Sequence, residues 1–192
     1  MTTIIGISGI SGAGTTTTTM ALAQAFKATA LYWDDFDDIS TGPDDYVDWF
    51  HKSGDYADWH YPRLVQTLRE LKAGRDFTHP VTGERLVATP FVFFDSSLGR
   101  MHTATAQLVD LMIHLDTSMD VALCRRLLRD YGQKTDATAT DILEELDWYL
   151  KLGRPLFDAT DIKNAADVVI DGNQPTKDIM HHLSEIIEKH YG

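Results

Sequence analysis

The chain has 192 residues, with 29 acidic against 17 basic side chains and a formal charge of −12; it is long enough to bury its own core, and its field disfavours nucleic acid or an anionic membrane surface as a partner. A single cysteine, Cys124, excludes an internal disulfide framework and a multi-thiolate zinc centre, and its apolar-periodic setting leads us to expect a buried thiol in a reducing cytoplasm. No run approaches the roughly 20 apolar residues of a membrane span, and the opening MTTIIGISG lacks the features of a secretory leader.

In chain order, short apolar runs alternate with amphipathic segments, the pattern of a parallel sheet covered by helices. Strands are predicted over residues 4–8, 30–33, 90–94, 111–115 and 168–170, and helices over 16–27, 62–72, 119–130, 140–152 and 176–189. Pro62 suits a first helical turn and Gly74 a stop. Residues 77–87, with Pro80 and Thr82-Gly83, read as a hairpin or ordered loop rather than a boundary, so the chain is expected to be one domain over 1–192. The expected fold class is α/β, a doubly wound five-stranded parallel sheet; assembly into a homo-oligomer is left open.

The first strand runs into Gly9-Ile-Ser-Gly-Ala-Gly-Thr-Thr16, and a helix follows. In that context glycines let the backbone turn tightly with its N–H groups inward, and the helix start adds its positive end, so phosphate oxygens can be surrounded. The candidate phosphate-binding residues are Gly9, Ser11, Gly12, Ala13, Gly14, Thr15, Thr16 and Thr17. Thr16 stands where such loops place the hydroxyl that ligates Mg²⁺, whereas Thr15 replaces the lysine that would bridge the outer phosphates of ATP. Binding is therefore expected to survive and catalysis to be weakened. The plainer alternative is a strand-turn-helix whose glycines serve packing alone.

The second predicted strand leads into Asp34-Asp35-Phe36-Asp37. Open α/β sheets bind ligands at the carboxyl ends of their strands, which makes Asp34 the candidate base for an acceptor hydroxyl and puts Asp35 beside the acceptor; the alternative is a solvated acidic loop. Arg125, Arg126 and Arg129 lie on a predicted helix where 125 and 129 share a face and 126 points elsewhere. Arg125 and Arg129 are thus the candidates to stabilise the transferred phosphoryl group, against the alternative of surface pairing with acids. The stretch from Asp55 to Pro62, with Tyr56, Trp59, His60 and Tyr61, joins aromatic faces to polar tips; Trp59, His60 and Tyr61 are its acceptor-binding candidates, or else Trp59 and Tyr61 are the apolar entry to the next helix. Arg154 is a further substrate-side candidate. The remaining histidines, His51, His181 and His182 among them, show no metal-ligand spacing and read as surface residues.

Taken together, these segments resemble the uridine kinase, phosphoribulokinase and nicotinamide riboside kinase group of P-loop small-molecule kinases. The resemblance is carried by GISGISGAG at the loop, by Asp34-Asp35-Phe36, by Asp116 to Asp130 as a strand end followed by an arginine-rich lid helix, and by Val168-Val-Ile-Asp-Gly172 as a last strand. It implies a P-loop nucleoside triphosphate hydrolase fold with a lid over roughly 125–160, ATP and Mg²⁺ as cofactors, and Asp34 as the base, with Thr16, Asp34 and Asp95 about the metal. Asp95 ends the apolar run from Thr89; the group's usual Glu-Gly is Asp95-Ser96 here, and Asp95 alternatively caps a helix near Ser97. Nucleoside kinases of the group often carry an Asp where this chain has His60. The expected activity is ATP-dependent phosphoryl transfer to a hydroxyl of a small metabolite, a nucleoside or riboside first. The alternatives are a catalytically silent module that keeps ATP without turnover, and a scaffold for an inorganic anion or a phosphorylated metabolite.

Overall fold

The computed structural model describes residues 2–132 and 134–191. β1 (Thr3–Ser8) lies in the middle of five parallel strands, and α1 (Thr15–Phe26) carries the chain to β2 (Thr29–Tyr32) at one edge. A 3₁₀ turn (Asp34–Ile39), α2 (Tyr46–Lys52), α3 (Pro62–Lys72) and a small hairpin of β3 (Phe77–Thr78) and β4 (Arg85–Leu86) lead to β5 (Phe91–Asp95). Beyond α4 (Thr103–Ala106) the chain passes to the other side of β1 and builds β6 (Leu111–Asp116), α5 (Met119–Tyr131), α6 (Ala139–Trp148), α7 (Thr160–Asn164), β7 (Val168–Asp171) and α8 (Thr176–Tyr191). The strand order is β2-β5-β1-β6-β7. β1 pairs in parallel with both β5 and β6, so the winding changes direction there and leaves a crevice beyond the carboxyl ends of these strands.

Alternation along the strands sends side chains into two cores. Ile4, Val92, Phe94 and Met112 meet Leu64, Leu68 and Leu71 of α3 on one face. Ile5, Ile7, Phe93 and Ile113 meet Leu22 of α1 and Ile179, Leu183 and Ile187 of α8 on the other. Each such buried side chain contributes roughly 1.5–3 kcal/mol. Near-continuous apolar strands follow from cover on both faces, which is why all five predicted strands occur with ends displaced by at most one residue.

The elements that composition did not reveal are those that bury little. α2 contains no buried residue and is held by a side-chain cap, Asp45 accepting from the Asp48 N–H. The helix expected over 140–152 ends at Trp148 and continues as a wider π turn, Tyr149–Gly153, whose Tyr149 and Gly153 are buried. Cys124 is exposed rather than buried: on α5 the buried position is Ala122, and two residues further along a helix lies close to the opposite side. His79, His102 and His114, expected at the surface, are buried, each with a ring nitrogen against a polar partner of the fold.

Candidate active site

The loop after β1 closes over backbone alone. Gly12 has φ of +92° and Gly14, the residue before α1, φ of +100°, a left-handed region that side-chain-bearing residues enter at a cost. At Gly12 the need is doubled, because a Cβ there would lie 2.1 Å from the Ala122 carbonyl oxygen of α5. The Ala13 N–H closes the turn on the Ile10 carbonyl at 2.8 Å. α1 then starts with neither a side-chain cap nor an acidic residue in its first turn, so its leading N–H groups, which have no intrahelical acceptor, and its positive dipole end are left for an anion.

Asp95 sits beside that terminus, 8 % exposed at the end of β5. The Thr16 hydroxyl donates to its Oδ2 at 2.7 Å. Burial pushes its carboxyl up to about 6, opposed by the hydroxyls of Thr16 and Thr15 and reinforced by the nearby Asp34 charge. It does not cap a helix: the turn after it, Gly99–Met101, is preceded by Leu98. Asp34 opens the 3₁₀ turn after β2, exposed, with the Ser97 hydroxyl donating to Oδ1 at 3.4 Å. Thr16 and Asp95 are thus in direct contact, and Asp34 is near enough for its charge to act on Asp95; oxygen donors of this kind would suit a hard cation that keeps waters and phosphate oxygens among its ligands.

One cavity of about 430 Å³ brings much of this together: Gly9, Ile10 and Ser11 of the loop, Asp34, Arg126, Arg129 and a set of aromatic rings line it. The arginines divide differently from expectation. Arg126 and Arg129 face the cavity, whereas Arg125 turns behind the loop, its Nη1 donating to the carbonyls of Gly172 at 3.1 Å and Ala13 at 3.4 Å. There it lines a separate cavity of about 170 Å³ with Gly14, Thr17 and Gln174. The spacing of 126 and 129 is also a shared-face spacing, and the loop packed against Ala122 sets which pair points inward. Arg126 is the more buried, its Nη1 2.7 Å from Glu145 Oε1 and its guanidinium 4.9 Å from the Phe157 ring centre. Its Nη2 is buried without a hydrogen-bond partner. Arg129 is exposed and pairs with Asp130 at 2.7 Å.

The expected acceptor residues separate as well. Trp59 lines the main cavity, but His60 and Tyr61 line a second, more open one of about 450 Å³ with Trp59 and His102. Tyr61 is buried, its hydroxyl donating to Asp37 Oδ1 at 2.7 Å. Asp35 turns toward the buried His79, 3.7 Å from its Nε2, and with the exposed Arg154 lies outside the cavity lining. His79 Nδ1 faces the N–H groups of Val81 and Thr82 at 3.3 Å each, so Nε2 carries the proton that points toward Asp35. Tyr56, within the stretch singled out from the sequence, also lines the cavity; sequence reasoning missed Tyr46, Trp49, Trp148 and Phe157, which complete the aromatic lining. The i, i+3 spacing of Tyr46 and Trp49 was a signal, and the fold was needed to bring them to Trp148 and Phe157.

Fold and site together define a P-loop-type α/β domain, and the chain belongs to the Phosphoribulokinase / Uridine kinase family, whose model matches residues 4–170. Among curated relatives, a uridine kinase of Borrelia duttonii is 27 % identical over 168 residues, covering 80 % of this chain and 78 % of that protein. A mouse protein, uridine-cytidine kinase-like 1, is 28 % identical over 142 residues, 66 % of this chain and 25 % of that protein. Among solved structures, a sugar kinase from Janibacter overlays with a TM-score of 0.54 at 18 % identity, covering 98 % of this chain and 95 % of that one. Shikimate kinase from Bacteroides thetaiotaomicron gives 0.53 at 14 % identity, covering 97 % and 98 %. At such identity these two report the fold. No helix among the described residues is long and apolar enough to cross a membrane.

Proposed function

We propose that this chain transfers the γ-phosphoryl group of ATP to a hydroxyl of a small metabolite, a nucleoside or other riboside first, with Mg²⁺ as the metal. The observation that carries the reading is the cavity that joins Gly9, Ile10 and Ser11 at the start of the phosphate loop to Asp34 and to Arg126 and Arg129 of α5. In the reaction the acceptor oxygen bonds to the γ-phosphorus as the bond to the bridging oxygen of ADP breaks, and the acceptor proton passes to Asp34. Loop amides and the α1 terminus hold the phosphates. Arg126, assisted by Arg129, stabilises charge on the transferred oxygens from the side opposite the loop, the role expected of Arg125. Arg126 and Arg129 offer cations at this cavity where Thr15 offers none at the loop. Bound Mg²⁺ would neutralise phosphate charge; Thr16, Asp95 and Asp34 would hold it directly or through water, and its charge would lower the raised Asp95 pKa. Residues 125–160 would act as the lid that excludes water.

Thr15 sets the competing reading, a module that holds ATP without turnover. Asp34→Asn separates the two. An amide keeps the shape and cannot take the proton, so ATP affinity stays near the parent value while transfer falls by about 10²–10⁴. Transfer at the parent rate would remove Asp34 from the mechanism, and a parent that binds ATP but phosphorylates no acceptor in a nucleoside and sugar panel would leave the silent module.

A further inference from the structure

The second cavity, of about 450 Å³, takes no part in the reaction above, and Trp59 alone of its lining is shared with the main cavity. Its charge runs against that of the chain. The sequence carries 29 acidic side chains against 17 basic ones, yet no carboxylate lines this cavity, while Arg69 and His60 do. The neighbouring cations are taken, Arg75 by Glu70 at 2.6 Å and Lys72 by Asp110 at 2.7 Å. Arg69 makes no ion pair among the described residues. It is exposed, and with Pro62 and Val65 it falls at i, i+3 and i+7 on α3, so that one face of the helix brings two apolar surfaces and a guanidinium to the same cavity.

The rest of the lining is apolar or already satisfied. The rings of Trp59 and Tyr61 lie 34° apart with centroids at 6.4 Å. The Tyr61 hydroxyl is spent on Asp37, and His102 uses both ring nitrogens, on the Thr105 hydroxyl at 2.9 Å and the Trp59 carbonyl at 3.0 Å. What remains for a ligand is a flat apolar floor with a guanidinium at its edge. A planar guanidinium binds a carboxylate or phosphate at two points, and ring faces take an apolar body. An inorganic anion would leave the floor uncovered, and a cation would meet Arg69. Trp59 also gives the site a reach: its indole N–H is buried without an acceptor, so no directional bond fixes a ring that lines both cavities.

We infer that this second cavity is a ligand site separate from the reaction cavity, for a small organic anion with a flat apolar body, its carboxylate or phosphate on Arg69 and its body on Trp59. The site stands whether or not the chain transfers phosphate. The probes are 2-naphthoate, 2-naphthyl phosphate, the neutral 2-naphthamide and inorganic phosphate, each titrated by calorimetry with and without millimolar Mg²⁺ and ATP. At least one naphthyl anion is expected to bind roughly tenfold tighter than the amide, with inorganic phosphate weakest, and to shift the Trp59 indole resonance, assigned with Trp59→Phe. A lead of 2-naphthoate assigns the head group as a carboxylate and a lead of 2-naphthyl phosphate as a phosphate monoester; either keeps the inference. Arg69→Gln, at an exposed position, should bring anion and amide level while the thermal midpoint stays near the parent value. Displacement of the anion by ATP, equal binding of the amide, a preference that survives Arg69→Gln, or no binding of any probe at millimolar concentration overturns it.

Discussion

The two walls of the cavity are built on opposite plans. The phosphate wall belongs to one short stretch of chain, Gly9 to Thr16, of which Gly9, Ile10 and Ser11 line the cavity; its shape comes from two left-handed glycines and a helix start, and it addresses its ligand with backbone groups. The aromatic wall is gathered from α2, the turn at Tyr56–Asp58, Trp59, the end of α6 and Phe157, and it addresses its ligand with side chains. A backbone cradle accepts any nucleotide phosphate and changes little when residues change; a side-chain wall can be rebuilt for a new acceptor without disturbing the donor end. Such a division lets an acceptor wall change without disturbing the phosphate end; here His60 lines the more open second cavity, and rings line the main one.

If the division is real, damage to one wall should leave the other in working order. Gly12→Ala is the severest single insult to the phosphate wall. The added methyl forces a left-handed alanine against the Ala122 carbonyl at 2.1 Å, and ATP affinity should fall roughly tenfold or more, read by calorimetric titration. Acceptor binding by fluorescence should hold near the parent value. A matching loss of acceptor binding would mean that the walls are coupled through α5.

A smaller effect separates the supports of the two walls. His102, beneath the aromatic wall, meets the Trp59 carbonyl with Nε2 at 3.0 Å, and His114, at the end of β6, meets the Ser8 hydroxyl at 3.1 Å. Burial lowers the pKa of both below the ordinary histidine value. The unfolded chain then binds more protons than the folded one as pH drops below about 6.5, so stability present above that pH is lost on acidification, by at most about 1.4 kcal/mol per pH unit for each histidine. Urea midpoints between pH 7 and about 5 check this, over a window chosen from the unfolded histidine value. His102→Gln and His114→Gln should each flatten part of the slope. Asp95, raised to about 6, takes up its proton in the same window and offsets part of this slope; a profile that neither substitution changes would show that the two imidazoles titrate in the folded chain as they do in the unfolded one.

Legibility in the sequence followed the same line. The five strands and the loop were readable because they depend on local chemistry: apolar runs buried on both faces, and glycines where the backbone must turn left-handed. Asp34 and Asp95 were readable because the carboxyl ends of parallel strands converge on the crevice. The arginines were half readable. Helical spacing placed Arg129 but could not tell Arg125 from Arg126, since the rotation of α5 is set by the packing of Ala122 against the loop, a contact between segments about 110 residues apart in the chain. The aromatic wall was hardly readable beyond the Asp55–Pro62 stretch, because the spacing of Tyr46 and Trp49 on α2, a helix that buries nothing, gives no sign of the distant rings they meet. Cys124 was misread for a related reason: α5 presents a narrower buried stripe than its apolar residues suggest.

The most direct test of the central claim, that a loop without its lysine still supports phosphoryl transfer, is the single-turnover rate of the parent and of Thr15→Lys at saturating ATP with an acceptor that binds. Removing one preorganised donor from a charge-stabilising site costs about 10²–10³ in rate. With Arg126 supplying charge from α5, the parent should already transfer at a measurable rate and Thr15→Lys should raise it by less than that full factor. Saturating ATP keeps a change in nucleotide affinity out of the comparison. A parent with no transfer at all beside a Thr15→Lys variant that turns over would contradict the account, and would show that the native loop binds ATP and leaves it intact.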